Sequence, residues 1–303
     1  LEPPEMRIGV DLGGTKIEVA ALDGTGAFAL RERAASPVGN YEATISTIKT
    51  LVDTAEQKLA RTCTVGIGIP GTISPATGLV KNANSTWLNG RPLDRDLEAA
   101  LGRQVRIAND ANCFALSEAT DGAGQDHRVV FGVILGTGVG GGVVVDGKVL
   151  TGPNAITGEW GHNPLPWPSQ NERNGPPCYC GKSGCIETWL SGPAMTGQFK
   201  QATGETLAPM AIAAQAPTNV AAETALVNYE ERLAKSLAHL INILDPNIVV
   251  LGGGLSNLNR LYANVPPLLA KYAFSDAIST PIVKNRWGDS GGVRGAAWLW
   301  PDP

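Results

Sequence analysis

Arg7-Ile8-Gly9-Val10-Asp11-Leu12-Gly13-Gly14-Thr15-Lys16-Ile17-Glu18-Val19-Ala20-Ala21-Leu22 is two short β-rich runs joined by a Gly-Gly turn, the pattern of a hairpin whose tip carries Asp11, Thr15 and Lys16. The pattern restarts downstream. Val129-Val130-Phe131-Gly132-Val133-Ile134-Leu135 runs into Gly136-Thr137-Gly138-Val139-Gly140-Gly141-Gly142 and then Val143-Val144-Val145, a second hairpin with a Gly-Thr tip. Between the two, Tyr41, Ile45, Ile48, Val52, Ala55 and Leu59 recur at three- and four-residue steps behind Asn40, which predicts an amphipathic helix with an N-cap. Val65 to Ile69 reads as a strand ending at Pro70-Gly71. Val105 to Ala108 reads as another, delivering Asn109-Asp110 to the start of a helix over 111–119. After the second hairpin, Leu226, Tyr229, Leu233, Leu237, Leu240 and Leu244 predict a long helix stopped by Asp245-Pro246, and Ile248-Val249-Val250-Leu251 predicts a buried strand entering Gly252-Gly253-Gly254. Two halves that each open on a glycine-tipped hairpin imply a duplicated α/β chain with its site between the halves. Identity between the halves is low, so the repeat rests on element order.

At 303 residues, with 43% hydrophobic and 17% charged residues, the chain is long enough for two domains with ample cores. No apolar run reaches the roughly 18 residues of a spanning helix, and no charged-then-apolar leader opens the chain, so no membrane partner is expected. A net charge of −4 offers no broad field for nucleic acid, and a small-molecule partner is the better reading. Reduced cysteines point to the cytoplasm. Leu1-Glu2-Pro3-Pro4-Glu5 reads as an addition ahead of a natural-looking start at Met6.

Among the 37 glycines are three clusters that each follow a strand: Gly13-Gly14, Gly136 to Gly142 and Gly252 to Gly254. Backbone N–H groups freed of side chains can turn toward phosphate oxygens, the Thr15 and Thr137 hydroxyls add donors, and Asp11 can hold a Mg²⁺ that bridges phosphates. Neither a P-loop nor a dinucleotide fingerprint is convincing. A different chemistry sits at His162 and Cys178-Tyr179-Cys180-Gly181-Lys182-Ser183-Gly184-Cys185, where three of the five cysteines fall within eight residues. Three thiols and an imidazole are the donor set of a closed, tetrahedral, structural Zn²⁺ site. Glu159 and Glu187 flank its two arms, so a metal there would fix two carboxylates for a ligand.

Taken together, Asp11-Leu-Gly-Gly-Thr-Lys16, Gly66-Ile-Gly-Ile-Pro-Gly71, Asn109-Asp110-Ala-Asn112, Gly136-Thr-Gly-Val-Gly140, Gly158-Glu-Trp-Gly-His162, the Cys178–Glu187 run and Asp245-Pro246 leading to Gly254 resemble the ROK family of bacterial sugar kinases and repressors, from about Arg7 to the C-terminus. Lys81-Asn-Ala-Asn-Ser-Thr-Trp-Leu-Asn-Gly90 and the run from Gly158 to Trp167 are most similar to the family's fructokinase, or manno(fructo)kinase, branch. The resemblance implies a duplicated actin-like ATPase (ribonuclease H-like) fold, two domains with the active site in the cleft between them. The domains would run over 6–117, completed by a C-terminal helix at 290–303, and over 118–289, with the zinc loop at 158–187. It also suggests a homodimer.

The same resemblance implies ATP, Mg²⁺ and a structural Zn²⁺, and a sugar substrate. Asp110 matches the catalytic base; Gly71, Asn84, Asn109, Glu159, His162 and Glu187 match sugar-contacting positions; Asp11, Gly13, Gly14, Thr15, Lys16, Thr137, Gly138, Gly253 and Gly254 match the nucleotide loops; His162, Cys178, Cys180 and Cys185 match the metal ligands. His162 would thus serve both metal and sugar. Read by itself, Asp110 could equally be the N-cap of the helix after it. Trp87, Trp160 and Trp167 could cover the sugar, although two of the three suit plain loop packing. A first strand at Arg7 leaves no room ahead of it for a DNA-binding helix-turn-helix, which argues against a sugar-sensing regulator. The expected activity is phosphorylation of fructose to fructose 6-phosphate. Trp87 and Trp160 are expected to leave little space for an N-acetyl arm, with glucokinase, mannokinase or N-acetylglucosamine kinase as alternatives.

Overall fold

The computed structural model describes residues 6–300. Residues 1–5, expected to be an addition, and the end of the C-terminal helix expected to 303 lie outside the described residues. The chain forms two compact units. One comprises the residues up to Asp126, Gly142–Thr157 and the segment from Asp289; the other comprises His127–Gly141 and Gly158–Gly288.

In the first unit, β1 (Arg7–Leu12) pairs antiparallel with β2 (Lys16–Leu22), with Leu12 opposite Ile17, so the predicted hairpin forms with the Gly-Gly turn at its tip. The third strand, β3 (Phe28–Ala35), carries Arg31, Glu32 and Arg33, and this charge hid it in the sequence. Next comes α1 (Tyr41–Leu59), capped by Asn40, whose side chain accepts from the Ala43 N–H at 3.0 Å. Then follow β4 (Thr64–Ile69), the short pair β5 (Thr72–Ile73) and β6 (Val80–Lys81), α2 (Leu93–Leu101), β7 (Arg106–Asn109) and α3 (Asp110–Asp121). The sheet order is β3-β2-β1-β4-β7, with β1, β4 and β7 parallel.

The later chain supplies β8 (Val129–Leu135), β9 (Val139–Val145), β10 (Lys148–Val149), α4 (Glu187–Leu190), α5 (Gly192–Thr203), α6 (Pro209–Gln215), α7 (Val220–Leu244), β11 (Ile248–Gly252), α8 (Arg260–Leu269), β12 (Ile282–Lys284) and α9 (Gly291–Ala297). Its sheet order, β10-β9-β8-β11-β12, repeats that of the first sheet: a hairpin, one antiparallel strand outside it, and two parallel strands on the other side. The duplication inferred from element order is therefore visible in topology. Helix α7 begins at an Asn219 cap, ahead of its first apolar marker Leu226, and ends on Asp245 at φ 45° before Pro246.

Two features depart from the expected division at 117/118. Helix α3 continues unbroken to Asp121, so no boundary falls inside it. Residues 142–157 return to the first unit, where a Cβ at Gly142 would stand 2.7 Å from Ala111 O and 2.8 Å from Ala115 Cβ.

Helix α9 is shorter than expected, and its Gly291-Gly292-Val293-Arg294-Gly295-Ala296-Ala297 sequence explains its place. A Cβ at Gly9 of β1 would lie 1.9 Å from Val293 O, one at Gly66 of β4 would lie 1.8 Å from Ala296 O, and one at Gly295 would lie 1.6 Å from Cys113 O of α3. The helix thus lies backbone against backbone between the sheet and α3, an approach that only missing side chains permit. Arg294, 2% exposed, is neutralised there by Asp121 and lies over the Phe28 ring. We expect Gly66→Ala to cost about 3 kcal/mol or more in denaturant unfolding, because a backbone rather than a flexible side chain must move. Gly197→Ala, in α5 with nothing within 4 Å, should instead gain about 0.5–1 kcal/mol. Similar stabilities for the two variants would contradict the packing argument.

Candidate active site

The C-terminal ends of β1 and β7 carry the acids of the first unit. Asp110 opens α3 and is exposed, with its Oδ1 accepting the Ala111 N–H at 2.8 Å. The N-cap of that helix is Asn109, which accepts from the same N–H at 2.9 Å and donates through Nδ2 to Gly71 O at 3.1 Å. Asn109 and Asp110 thus share the Ala111 N–H at the head of the helix. Asp11 lies half-buried nearby, and a Cβ at Gly292 of α9 would stand 3.2 Å from its Oδ2. Burial, then the Asp110 and Glu18 carboxylates, push the Asp11 carboxyl up to about 6 against the pull of Lys16. A cation between Asp11 and Asp110 would relieve that repulsion, and two hard oxygen donors suit Mg²⁺ carried with phosphates.

The turn between β1 and β2 is braced from outside. Gly13 N–H donates to Lys16 O, the Ser36 hydroxyl to Gly13 O at 2.6 Å, and the Ser36 N–H to Thr15 O at 3.0 Å. Gly14 and Thr15 remain exposed, whereas Lys16 reaches back to Glu18 at 3.7 Å. Asn84 is exposed on a loop that Asn89 clamps, accepting from Ala83 N–H and donating to Ala83 O. Ser36 and Asn89 escaped the sequence reading because nothing but their place in the fold marks them.

In the second unit, two glycine turns end adjacent parallel strands. Gly253, at φ 78°, follows β11, and a Cβ there would meet Leu135 O at 2.4 Å, so only glycine fits and the two turns touch. Gly254 opens the single helical turn that follows. The turn after β8 leaves Thr137 exposed and is held by α4 and its neighbours: Gly192 N–H donates to Gly136 O at 2.8 Å, and Val139 N–H donates to Glu187 Oε2 at 2.8 Å. A Cβ at Gly138 would lie 2.7 Å from that same Glu187 oxygen. Glu187, expected to face sugar, therefore commits one oxygen to the Gly-Thr-Gly turn.

His162, Cys178, Cys180 and Cys185 come together with their ligand atoms all within 4.8 Å of one another. Cys178 Sγ lies 3.6 Å from His162 Nδ1, and Cys180 Sγ lies 3.7 Å from Cys185 Sγ. A tetrahedron with Zn–S of about 2.3 Å and Zn–N of about 2.0–2.1 Å has edges of roughly 3.8 Å between sulfurs and 3.5 Å between sulfur and nitrogen, so the donor set fits that ion. Burial, with the neighbouring sulfurs adding to it, pushes the Cys185 thiol up to about 12. Three thiolates gathered this closely need a cation among them. The other ring nitrogen, His162 Nε2, meets the Tyr179 hydroxyl at 2.9 Å, a partner that fixes the ring. Both nitrogens thus have a partner within the cluster.

Glu159 is half-buried at the start of the short turn Trp160–His162. That turn is bolted to β9: a Cβ at Gly161 would meet Val139 O at 2.0 Å, and Trp160 Nε1 donates to Gly140 O at 2.8 Å. Trp160 is 4% exposed and sits edge-on to Phe131, Trp87 donates to Thr44 Oγ1 against the first unit's core, and Trp167 stacks on Tyr272. All three tryptophans pack against protein. Cys63 and Cys113 are buried thiols, and His239 meets Trp167 edge to face.

Metal analysis should return about one Zn²⁺ per chain, and a strong chelator or Cys180→Ser should lower Tm; a metal-free protein of equal Tm would remove the zinc assignment. The Asp11 carboxyl, at about 6 in the fold against its usual 3.8, binds its proton more tightly than in the unfolded chain. Stability therefore falls as pH rises through that window, and the penalty persists above it. Asp11→Asn should raise stability by about 1–2 kcal/mol near pH 7.5, where the wild-type carboxylate is ionised, with no gain near pH 4.

A model of the ROK family matches residues 7–303. N-acetyl-D-glucosamine kinases of Photobacterium profundum and Vibrio parahaemolyticus are 43% and 42% identical over 300 residues, covering 97% of this chain and 99% of each relative. Among solved structures, the ROK hexokinase of Thermus thermophilus superposes with a TM-score of 0.86 at 29% identity, covering 97% of both chains. A ROK glucokinase of Streptomyces griseus, in complex with glucose and AMPPNP, gives a TM-score of 0.76 at 26% identity, covering 97% of this chain and 98% of the other. With this fold and this extent of likeness, the chain belongs to the ROK family and has its two-unit, actin-like ATPase architecture.

Proposed function

We propose that the protein transfers the γ-phosphoryl group of ATP to a hexose, and that this hexose is N-acetylglucosamine. The sugar hydroxyl gives its proton to the Asp110 carboxylate as its oxygen bonds to the γ-phosphorus, the bond from that phosphorus to the bridging β-phosphate oxygen breaks, and ADP leaves. Phosphoryl transfer asks a protein mainly for positioning and charge neutralisation, and the exposed Asp110 at the head of α3 suits the proton acceptor. Asp11 would hold Mg²⁺, which supplies neutralisation of phosphate charge. The Gly13–Thr15, Thr137–Gly138 and Gly253–Gly254 turns offer backbone donors to ATP, and Asn84, Asn109 and Glu159 offer hydrogen bonds to sugar hydroxyls. The Cys/His cluster has four protein donors and no position for an activated water, so its Zn²⁺ would be structural.

The choice of sugar departs from the fructose expected on sequence. That expectation leaned on Trp87 and Trp160 filling the space of an N-acetyl arm, and both are spent on protein packing. The observation that carries the new reading is the likeness of 40–43% over nearly the whole chain to N-acetyl-D-glucosamine kinases. A coupled ADP assay over N-acetylglucosamine, glucose, mannose and fructose should give the highest kcat/KM with N-acetylglucosamine. Asp110→Asn should lower kcat by at least about 100-fold with the fold intact. Fructose turned over best would return the specificity to the first expectation. Sugar binding without ADP release would favour a sensor over an enzyme.

A further inference from the structure

A cavity of ≈ 60 Å³ lies within the first unit beside Asn109, the residue before Asp110. Ile107 and Ala108 of β7, Thr72 of β5 and Asn112 of α3 line it, and Leu150 and Thr157 close it from the segment after β10. A single water needs roughly 10–15 Å³ of such space, so the cavity suits a group of about four heavy atoms. No charged side chain lines it among the described residues, which disfavours a phosphate, a carboxylate or a free ammonium group. What it offers is mixed: apolar carbon from Ile107 and Leu150, threonines at 72 and 157, and the carboxamide residue Asn112. Asn112 Oδ1 is buried with no partner, and a buried acceptor left unsatisfied costs about 1–3 kcal/mol. Thr157 Oγ1 already accepts the Gly152 N–H at 3.3 Å, which leaves its own hydrogen free to donate.

We infer that this cavity receives the acetamido arm of the sugar. The amide N–H would donate to Asn112 Oδ1, the carbonyl would accept from a threonine hydroxyl, and the methyl would rest on Ile107 and Leu150. An acetamido group has four heavy atoms, is neutral, and carries one donor, one acceptor and one methyl, which is the complement of what the walls present. Asn109 joins this wall to the proposed base Asp110, since it caps α3 and is pinned to Gly71. The inference rests on the N-acetylglucosamine reading and adds to it the residues that choose this sugar over glucose.

The test compares kcat/KM for N-acetylglucosamine and glucose in the wild type, in Asn112→Leu, which keeps the volume and removes the acceptor, and in Ala155→Leu, which fills the cavity from another wall. Both variants should lower the ratio of N-acetylglucosamine to glucose turnover by about 10–100-fold, the loss expected when a substrate's polar group goes unpaired or its space is taken. Glucose turnover reports on folding in the same samples, so a merely structural role would lower both sugars together and leave the ratio unmoved. An unmoved ratio in variants that still turn over glucose overturns the inference and leaves the kinase reading standing. A wild type that ignores N-acetylglucosamine sinks the reading, and this inference with it, before any variant is made.

Discussion

The first unit depends on one contact, the approach of helix α9 to strands β1 and β4 on one side and helix α3 on the other without intervening side chains. At Gly9, Gly66 and Gly295, each on a different element, a Cβ would strike a backbone oxygen across this contact. The consequence reaches the chemistry directly. Asp11 follows Gly9 on β1, and Asp110 opens the helix that carries Cys113, so the same contact that packs the core sets the spacing of the two acids. Burial first, and then the nearness of Asp110 and Glu18, raise the Asp11 carboxyl in that arrangement. It costs the folded chain stability in a site poised for a cation, a common exchange at functional sites.

In the second unit the Cys/His cluster has the corresponding part. Cys185 leads within two residues to Glu187, whose oxygen takes the Val139 N–H at the end of the Gly136–Gly138 turn. His162 closes the turn that begins at Glu159 and packs through Gly161 on Val139 O. One metal centre would therefore hold both arms of the loop and, through Glu187, the turn itself. As thiolates these sulfurs would repel one another without an ion, so the geometry suits a metal-dependent brace.

Much of this was legible in the sequence because the relevant signals are local. Period-two runs around Gly13-Gly14 and Gly136–Gly142 gave the hairpins, the apolar spacing behind Asn40 gave α1, and thiol spacing gave the cluster. What escaped depends on tertiary context. Strand β3 is an edge strand whose alternating charge looks like loop, and α9, expected only from the family resemblance, is too short and glycine-rich to have a periodic signal of its own. The three tryptophans were ambiguous for the same reason: an indole suits a sugar face or a core equally, and only its partners decide. Asn112 belonged to a recognised motif, yet its unsatisfied oxygen is a property of the fold alone.

The account stands or falls on which sugar receives the phosphoryl group. Incubating the protein with ATP, Mg²⁺ and an equimolar mixture of N-acetylglucosamine and fructose, and following the products by ³¹P NMR, measures that choice in one tube. The account predicts that the phosphomonoester formed first is that of N-acetylglucosamine, with ADP appearing in step. Fructose phosphate as the main product, or no phosphomonoester of either sugar, would contradict it.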